Sequence, residues 1–340
     1  MRTGAKSDMT SQVTSLARLR SRLADIPVLV ALLTFAFLFL LFSIASENFL
    51  TLISLTNILT IASIKGIFVI GVAMLMITGE FDLSVGSILA VAAFVFAITL
   101  ESGMAPLLAL TLALVISGIL GFINGQIVTR TGIPSFIATL GTLLAYRGIA
   151  RGIGGGNFAR FTGERPFLFS VLNGDLGFIN ELAFPAGNAR VSVIWFALFA
   201  LIAAIIMARS RYGSWVYATG GNREAARSQG VRTNRVIVTN YVITGLLAGF
   251  AGLVSFASRP SVDPLRGEGW ELIAVTAAVI GGIWLKGGFG TIMGAAIGIV
   301  LLQMVEQGLI LIGVDVQLFQ GTIGFILIAA VILGTYLTKQ

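Results

Sequence analysis

Long apolar runs separated by short polar breaks dominate the chain. Each run is close to the ~20 residues that an α-helix needs to cross ~30 Å of hydrocarbon. The ten runs are 26–45, 61–78, 84–100, 106–128, 133–150, 191–208, 236–258, 271–285, 291–312 and 321–337. They lack the strict alternation of membrane barrel strands, and lipid admits only helices or closed barrels. The pattern therefore predicts an all-α, polytopic membrane protein with ten transmembrane helices.

Composition agrees with a lipid environment and excludes several classes of protein. Of the 340 residues, 56% are hydrophobic and only 11% are charged, too few to cover a water-facing surface. The chain has no His and no Cys. It therefore lacks the usual general base near neutral pH, thiolate metal ligands and a cysteine nucleophile. We expect no catalytic residue, no metal site and no cofactor in this chain.

The basic residues predict the orientation, because cytoplasmic loops of membrane proteins carry an excess of Lys and Arg. With the N-terminus inside, 14 of the 22 basic residues fall on the cytoplasmic side and six on the outer side. Both termini are then cytoplasmic. Residues 1–25 form a basic cytoplasmic segment, either a short helix on the anionic lipid leaflet or a solvated tail. The net charge of +7 reflects this topology, and we expect no nucleic-acid partner.

Two similar tripeptides indicate an internal repeat. Residues 81–83 (Phe-Asp-Leu) open the third run and residues 270–272 (Trp-Glu-Leu) open the eighth. A Gly and a Gln at matching spacing follow in the fourth and ninth runs. A shift of five helices is odd, so the halves 26–150 and 191–337 would be two inverted five-helix repeats, as in many transporters. Chance similarity between Gly-rich and Leu-rich helices is the alternative.

Three ionisable residues fall inside apolar runs, namely Lys65, Arg147 and Glu306. Charged groups are costly in hydrocarbon and usually mark function. Lys65 and Arg147 lie near predicted helix ends and could extend to the membrane surface, whereas Glu306 lies deep. An ion-driven carrier usually has several paired groups at this depth, and the sequence shows no such pair. An external energy source is favoured; a self-powered secondary carrier or channel for small polar solutes, or a polytopic membrane enzyme, remains open.

The polar loop 209–235 encodes a short helix with defined ends. Asn222 is a good N-cap, Glu224 lies in the first turn, where the helix dipole favours a carboxylate, and Gly230 is a natural terminator. The residues that define the helix are Gly220, Gly221, Asn222, Glu224, Ala225, Ala226 and Gly230. A short rigid helix with small exposed residues suits docking into a groove of another protein. An ordinary connector is the alternative.

Four segments together carry a resemblance to a known family. They are Gly220–Gly230 (GGNREAARSQG), Gly79–Ala90 (GEFDLSVGSILA), Gly132–Ala150 and Gly267–Ala295. The first resembles the coupling helix of ATP-binding-cassette importer permeases of the ribose/xylose type, and the others resemble further motifs of that family. The resemblance covers nearly the whole chain. It departs at Glu80, where many relatives carry Gly, and at Ile283–Trp284, where they carry Ser or Thr.

The resemblance implies a type II importer-like permease in the bacterial inner membrane. A second copy of the chain, or a homologous permease, would complete a dimer with the path along its axis. A periplasmic binding protein would deliver a monosaccharide of the pentose or hexose class. A separate cytoplasmic ATPase would bind residues 220–230 and hold ATP and Mg. The chain itself has no Gly-x-x-x-x-Gly-Lys-Ser/Thr loop, so we expect a transport subunit and not an enzyme.

The resemblance also assigns residues to two further sites. The residues beside the translocation path would be Asp82, Ser84, Gly86 and Ser87, to which the deep acid Glu306 is added. N-capping of the third helix is the alternative role of the first four. The binding protein would meet the outer segments 152–190 and 259–268, where salt bridges would come from Arg259, Asp263, Arg266 and Glu268. The sequence does not identify the sugar.

Overall fold

The computed structural model describes residues 27–182, 187–315 and 318–338, and these residues are mostly helical. The first half contains α1 (Pro27–Ala45), α2 (Leu52–Ile77), α3 (Val85–Glu101), α4 (Pro106–Thr131) and α5 (Ser135–Ile153). The middle contains β1 (Ala159–Arg160), α6 (Phe167–Asn173), α7 (Gly177–Leu182), α8 (Val191–Arg209), α9 (Arg211–Gly221) and α10 (Arg223–Ser228). The remainder contains α11 (Thr233–Ser258), β2 (Ser261–Val262), α12 (Trp270–Ile280), α13 (Ile292–Leu311) and α14 (Phe319–Thr338). The predicted basic segment 1–25 lies outside the described residues.

Each predicted apolar run overlaps a helix, and only two boundaries differ by more than about three residues. Helix α2 begins at Leu52 and not at residue 61, because Thr51 caps it by accepting a hydrogen bond from the Ser54 N–H at 3.3 Å. Helix α12 ends at Ile280 and not at residue 285, because Gly282 takes a φ of 87°, a conformation that glycine adopts without strain. The first turns of α2 contain polar residues, so the apolar run used for the prediction begins later than the helix.

Within the part of the chain that the structure describes, five helices are long and apolar enough to cross a membrane, namely α2, α4, α8, α11 and α13. Helices α3 and α12 are apolar but shorter. A polytopic helical membrane protein is therefore confirmed, whereas the count of ten spans stays a prediction.

Helices α2 and α11 form the centre of the bundle. Helix α11 packs on α2, α3 and α4, and α2 also packs on α8, α12 and α13. Of the most apolar stretch of α2, 83% is buried, against 28% for α4 and 22% for α8. A Cβ at Gly121 of α4 would collide with the carbonyl oxygen of Tyr241 in α11, so glycine permits this close helix contact. The outer helices α4 and α8 therefore expose most of their apolar surface.

Candidate functional site

The predicted cytoplasmic loop folds into two short helices, which we call the α9–α10 hairpin (residues 211–228). Asn222 separates them, and its side chain accepts a hydrogen bond from the Ala225 N–H at 3.0 Å, so it caps α10. Gly230 follows α10 with a φ of 83°, which glycine adopts without strain. The short helix and both of its boundaries lie where the sequence predicts them.

The surface that α10 offers differs in part from the prediction. Gly221, Glu224 and Ala225 are exposed. Ala226 is buried, and its carbonyl accepts a hydrogen bond from the Val231 N–H at 3.0 Å. Ala226 therefore belongs to the turn into α11, and the expectation that it is an exposed small residue is wrong.

Two tyrosines of α9 hold the hairpin against the bundle. The Tyr212 hydroxyl donates to Oδ1 of Asn240 in α11 at 2.7 Å, and the Tyr217 hydroxyl donates to the Gly290 carbonyl at 2.9 Å. Burial raises the pKa of both Tyr212 and Tyr217, so the phenols stay protonated and able to donate. The hairpin is thereby fixed to α11 and to the loop between α12 and α13.

Three chain segments meet beside the hairpin through direct backbone contact. The Gly288 N–H donates to the carbonyl of Ile77, at the end of α2, over 2.8 Å. A Cβ at Gly220 would collide with the same carbonyl. Gly288 has a φ of 75°, so glycine meets both a conformational and a steric requirement there. The end of α2, the hairpin and the loop 281–290 therefore share one junction.

The break between α2 and α3, residues 79–84, is a buried polar segment. Oδ1 of Asp82 accepts hydrogen bonds from the N–H and the hydroxyl of Ser84 at 2.8 and 2.7 Å. Asn124 of α4 donates to Oγ of Ser84 at 2.7 Å, and Tyr146 of α5 donates to Oδ1 of Asn124 at 3.0 Å. At its start the segment also carries Glu80, which forms an ion pair with Arg223 of α10. The Tyr241 hydroxyl of α11 also donates to the carbonyl of Phe81 at 2.8 Å. Side chains from four helices, namely α4, α5, α10 and α11, therefore fix this segment.

The four predicted path residues of this region all lie inside the bundle. Asp82, Ser84 and Ser87 are fully buried, and a Cβ at Gly86 would collide with the carbonyl of Gly267. The Ser87 hydroxyl donates to the carbonyl of Leu143 at 2.9 Å. Ser84 is the N-cap residue of α3, but its side chain makes no capping hydrogen bond. Only its backbone carbonyl serves the start of the helix, by accepting from the N–H groups of Ser87 and Ile88. The position of the four predicted residues beside a path stays a prediction.

Arg147 bonds to the predicted outer segment 259–268, so its guanidinium reaches the outer end of the bundle. The side chain is buried, and Nη1 donates to the carbonyls of Pro264 and Arg266 at 3.1 and 2.7 Å. A cation inside the bundle needs such acceptors because it has left water. These bonds hold the loop before α12 against α5, next to the contact of Gly267 with Gly86.

Lys65 remains inside the bundle, where it pairs with Glu306. Its Nζ lies 2.9 Å from Oε2 of Glu306 and 3.0 Å from Oε1 of Gln303. The ring centroids of Trp270 and Phe319 lie 5.7 and 5.9 Å away, within the range of a cation–π attraction. The expectation that no paired groups occur at this depth is wrong. Both residues lie in apolar runs, which is a weak signal for a pair, but they are 241 positions apart in the sequence.

The predicted outer side carries a basic concavity of about 690 Å³. Strands β1 and β2 pair antiparallel at its floor, and Arg160, Arg165 and Arg259 are among its lining residues. All three arginines are exposed. Arg160 and Arg165 were not singled out from the sequence, because only the fold brings them next to Arg259.

The other predicted outer contacts have different environments. Glu268 is exposed. Arg266 donates to Oγ of Ser255 at 2.9 Å, and its Nε lies 3.5 Å from Oδ2 of Asp263. Arg266 and Asp263 therefore form an ion pair with each other within the chain. The exposed side chains of Arg259 and Glu268 remain available to contact a partner.

Comparison with known proteins identifies the family. The family model described as "Branched-chain amino acid transport system / permease component" matches residues 54–331. The ribose import permease of Escherichia coli K12 is 35% identical over 312 residues, 90% of this chain and 93% of that protein. The D-allose transport permease of the same organism is 34% identical over 298 residues, covering 87% and 88%. The autoinducer 2 import permease of Photorhabdus luminescens is 33% identical over 310 residues, covering 91% and 88%. No solved structure matches the chain.

These matches span the helical bundle from α2 to α14 and agree with its apolar outer helices. Permease components of this kind are multi-pass subunits of the bacterial inner membrane. They are transport subunits and not enzymes, since a separate ATPase chain hydrolyses ATP and a periplasmic binding protein delivers the solute. The chain therefore belongs to the permease-component family of branched-chain amino acid transport systems, as a membrane subunit of an ATP-binding-cassette importer.

Proposed function

We propose that the chain passes a monosaccharide of the pentose or hexose class from a periplasmic binding protein into the cytoplasm. The observation that carries this proposal is the similarity, at 33–35% identity over about nine-tenths of the chain, to permeases named for ribose, D-allose and autoinducer 2. The family description names branched-chain amino acids, so these are the competing substrates.

The proposed architecture has ten spans in two inverted halves with both termini in the cytoplasm. The asymmetry of basic residues supports the orientation, and the pairing of helices supports the two halves. Helix α3 packs on α4 and α5, as α12 packs on α13 and α14, and the α4–α11 contact corresponds to the α13–α2 contact. The starts of α3 and α12 also approach each other, since Gly86 faces Gly267 and Glu271. The first helices of the halves differ, because α8 packs on α2 whereas α1 packs on α13.

The α9–α10 hairpin is the proposed docking site for the ATPase, which binds ATP and Mg. Support comes from the capped, exposed helix α10 and from its anchoring by Tyr212 and Tyr217. A helix that is anchored to the bundle can transmit its displacement to the bundle, whereas an unanchored loop would move without displacing it. The permease works as a dimer, with a second copy or a homologous permease across the path.

The basic concavity is the proposed docking site for the binding protein. Three exposed arginines, Arg160, Arg165 and Arg259, favour acidic residues on the partner. Exposed Glu268 adds a carboxylate to this side. Asp263 and Arg266 shape the loop rather than meet the partner, because they pair with each other. The proposed path runs past the start of α3, where the backbone conformation is determined by Asp82, Ser84, Gly86 and Ser87. It also passes near Glu306, whose side chain is 19% exposed.

The deciding experiment reconstitutes the permease with its ATPase in proteoliposomes and adds binding protein loaded with ribose, allose or leucine. We expect a sugar-loaded binding protein to stimulate ATP hydrolysis and uptake, and leucine to have no effect. Stimulation by leucine alone would move the substrate to the amino-acid class. Uptake without any ATPase would support the secondary carrier.

A further inference from the structure

The α9–α10 hairpin is joined to the break between α2 and α3 by a partly buried ion pair. Glu80 and Arg223 form this pair, and their side chains are 7% and 38% exposed. Arg223 is the first residue of α10, and α10 otherwise packs on its chain neighbours α9 and α11. The pair therefore connects the docking helix to a part of the bundle that is distant in sequence.

A carboxylate as buried as Glu80 depends on its partner. Removing a partner from a buried pair leaves an uncompensated charge, which is strongly unfavourable. A displacement of α10 that separated Arg223 from Glu80 would meet this penalty. Moving the two residues together avoids it, so the break 79–84 should follow α10.

The break 79–84 is linked by hydrogen bonds to α5 at two positions along that helix. The Phe81 N–H donates to Oγ of Ser135, the first residue of α5, at 3.1 Å. One residue further on, Asp82 is bonded through Asn124 to Tyr146, in the middle of α5. A shift of the break would therefore act on both the start and the middle of α5.

Helix α5 has fewer constraints than the central helices. It packs mainly on α3, with a smaller contact with α4, and its outward face is open. Phe136, Ile137 and Leu144 are 54%, 58% and 67% exposed. Elements with few buried contacts move at the lowest free-energy cost. Among the helices around the break, α5 is thus well placed to respond.

We propose that Glu80 is a positioning residue that transmits the movement of α10, through the break 79–84, to helix α5. This inference rests on the proposed function, because it assumes that an ATPase moves α10. It goes beyond that function by naming the non-covalent link between the docking helix and a peripheral helix of the bundle. A role confined to folding would instead leave coupling intact in any variant that assembles.

The test compares Glu80→Ala with Glu47→Ala, which removes an exposed carboxylate from the segment between α1 and α2. Both variants are assembled with the ATPase in proteoliposomes, and sugar uptake is divided by ATP hydrolysed. We expect Glu80→Ala to keep basal ATP hydrolysis and to lose about tenfold in uptake per ATP, in the range of typical coupling between sites. Glu47→Ala should match the wild type.

Two further variants keep the inference testable if Glu80→Ala assembles poorly. Ser135→Ala breaks the link from Phe81 to α5 and should also lower uptake per ATP. Glu80→Gln retains an acceptor for Arg223 and should fall between Glu80→Ala and the wild type. If assembled Glu80→Ala showed the wild-type uptake per ATP, the inference would be overturned while the proposed function would stand. If Glu80→Ala does not assemble, wild-type uptake per ATP in Ser135→Ala would have the same meaning. A wild-type complex that binding protein does not stimulate would instead overturn the proposed function.

Discussion

Removing the carboxylate of Glu306 should destabilise the bundle through Lys65. The Lys65 side chain is only 8% exposed, so Glu306→Ala leaves an ammonium with Gln303 and two aromatic rings as its remaining neighbours. Breaking a buried pair by removing one partner costs ~3–5 kcal/mol. Glu306 is 19% exposed, so water can partly replace it. We therefore expect a loss of about 3 kcal/mol in the free energy of unfolding.

Two companion variants separate the charge from the shape of the side chain. Glu306→Gln keeps an amide oxygen that can accept from the ammonium, and a hydrogen bond to a charged group is worth ~1.5–3 kcal/mol. We expect a loss of about 1–2 kcal/mol for this variant. Lys65→Met combined with Glu306→Gln removes both charges and should lie within about 1 kcal/mol of the wild type, because replacing both partners is often neutral.

The assay is reversible unfolding of the purified permease in mixed micelles, followed by tryptophan emission. Trp270 reports on the site directly, since Nζ of Lys65 lies 5.7 Å from its ring centroid. Glu47→Gln, at an exposed acid, is the control for loss of a surface charge. Equal stability of Glu306→Ala and the control would refute the ion pair. The ion pair would also be refuted if the double variant lost the sum of the free energies of unfolding that Lys65→Met and Glu306→Gln lose singly.

Three further predictions concern topology and docking. The chain has no native Cys, so single cysteines can be introduced at the exposed positions Glu164 and Ser228. An impermeant maleimide added from the periplasm should label the cysteine at 164 and not the one at 228; the reverse labelling would contradict the orientation. Glu224→Lys should insert and fold, losing only ~0.3–1 kcal/mol of dipole interaction, yet binding-protein-stimulated ATP hydrolysis should fall sharply; normal stimulation at normal expression would count against docking at α10. Arg160→Glu with Arg259→Glu should weaken binding-protein affinity most at low salt, because screening reduces the effect of exposed charges; a salt-independent affinity equal to wild type would exclude the basic concavity.

The helices of the bundle were predictable because their signals are local. An apolar run of sufficient length needs no partner to be recognised, and Asn222 caps α10 through a residue three positions away. The errors occurred where a boundary depended on something other than hydropathy. Helix α2 extends through a polar first turn to the Thr51 cap, and α12 stops at the glycine pair 281–282.

The polar contacts inside the bundle were not predictable, because they depend on how distant helices pack. Lys65 meets Glu306, and Glu80 meets Arg223, across 241 and 143 positions of sequence. Snorkelling is a reasonable expectation for a lone cation near a helix end, yet packing supplied Lys65 with acceptors inside the bundle and Arg147 with carbonyls of the predicted outer segment. A more productive rule for this chain is to look for a partner to every ionisable residue inside an apolar run before assuming that it reaches water.

The Lys65–Glu306 pair also bears on the energy source. A proton-driven carrier must protonate and release a carboxylate in each cycle, and Glu306, paired with Lys65 inside the bundle, is a group of the kind that such a carrier uses. A permease driven by ATP has no such requirement. At fixed ATP in proteoliposomes, we therefore expect an uncoupler to leave wild-type uptake unchanged and Glu306→Gln to retain most uptake. A non-hydrolysable ATP analogue should abolish uptake in both. Uncoupler-sensitive uptake in the wild type, together with loss of uptake in Glu306→Gln, would instead assign proton coupling to this pair.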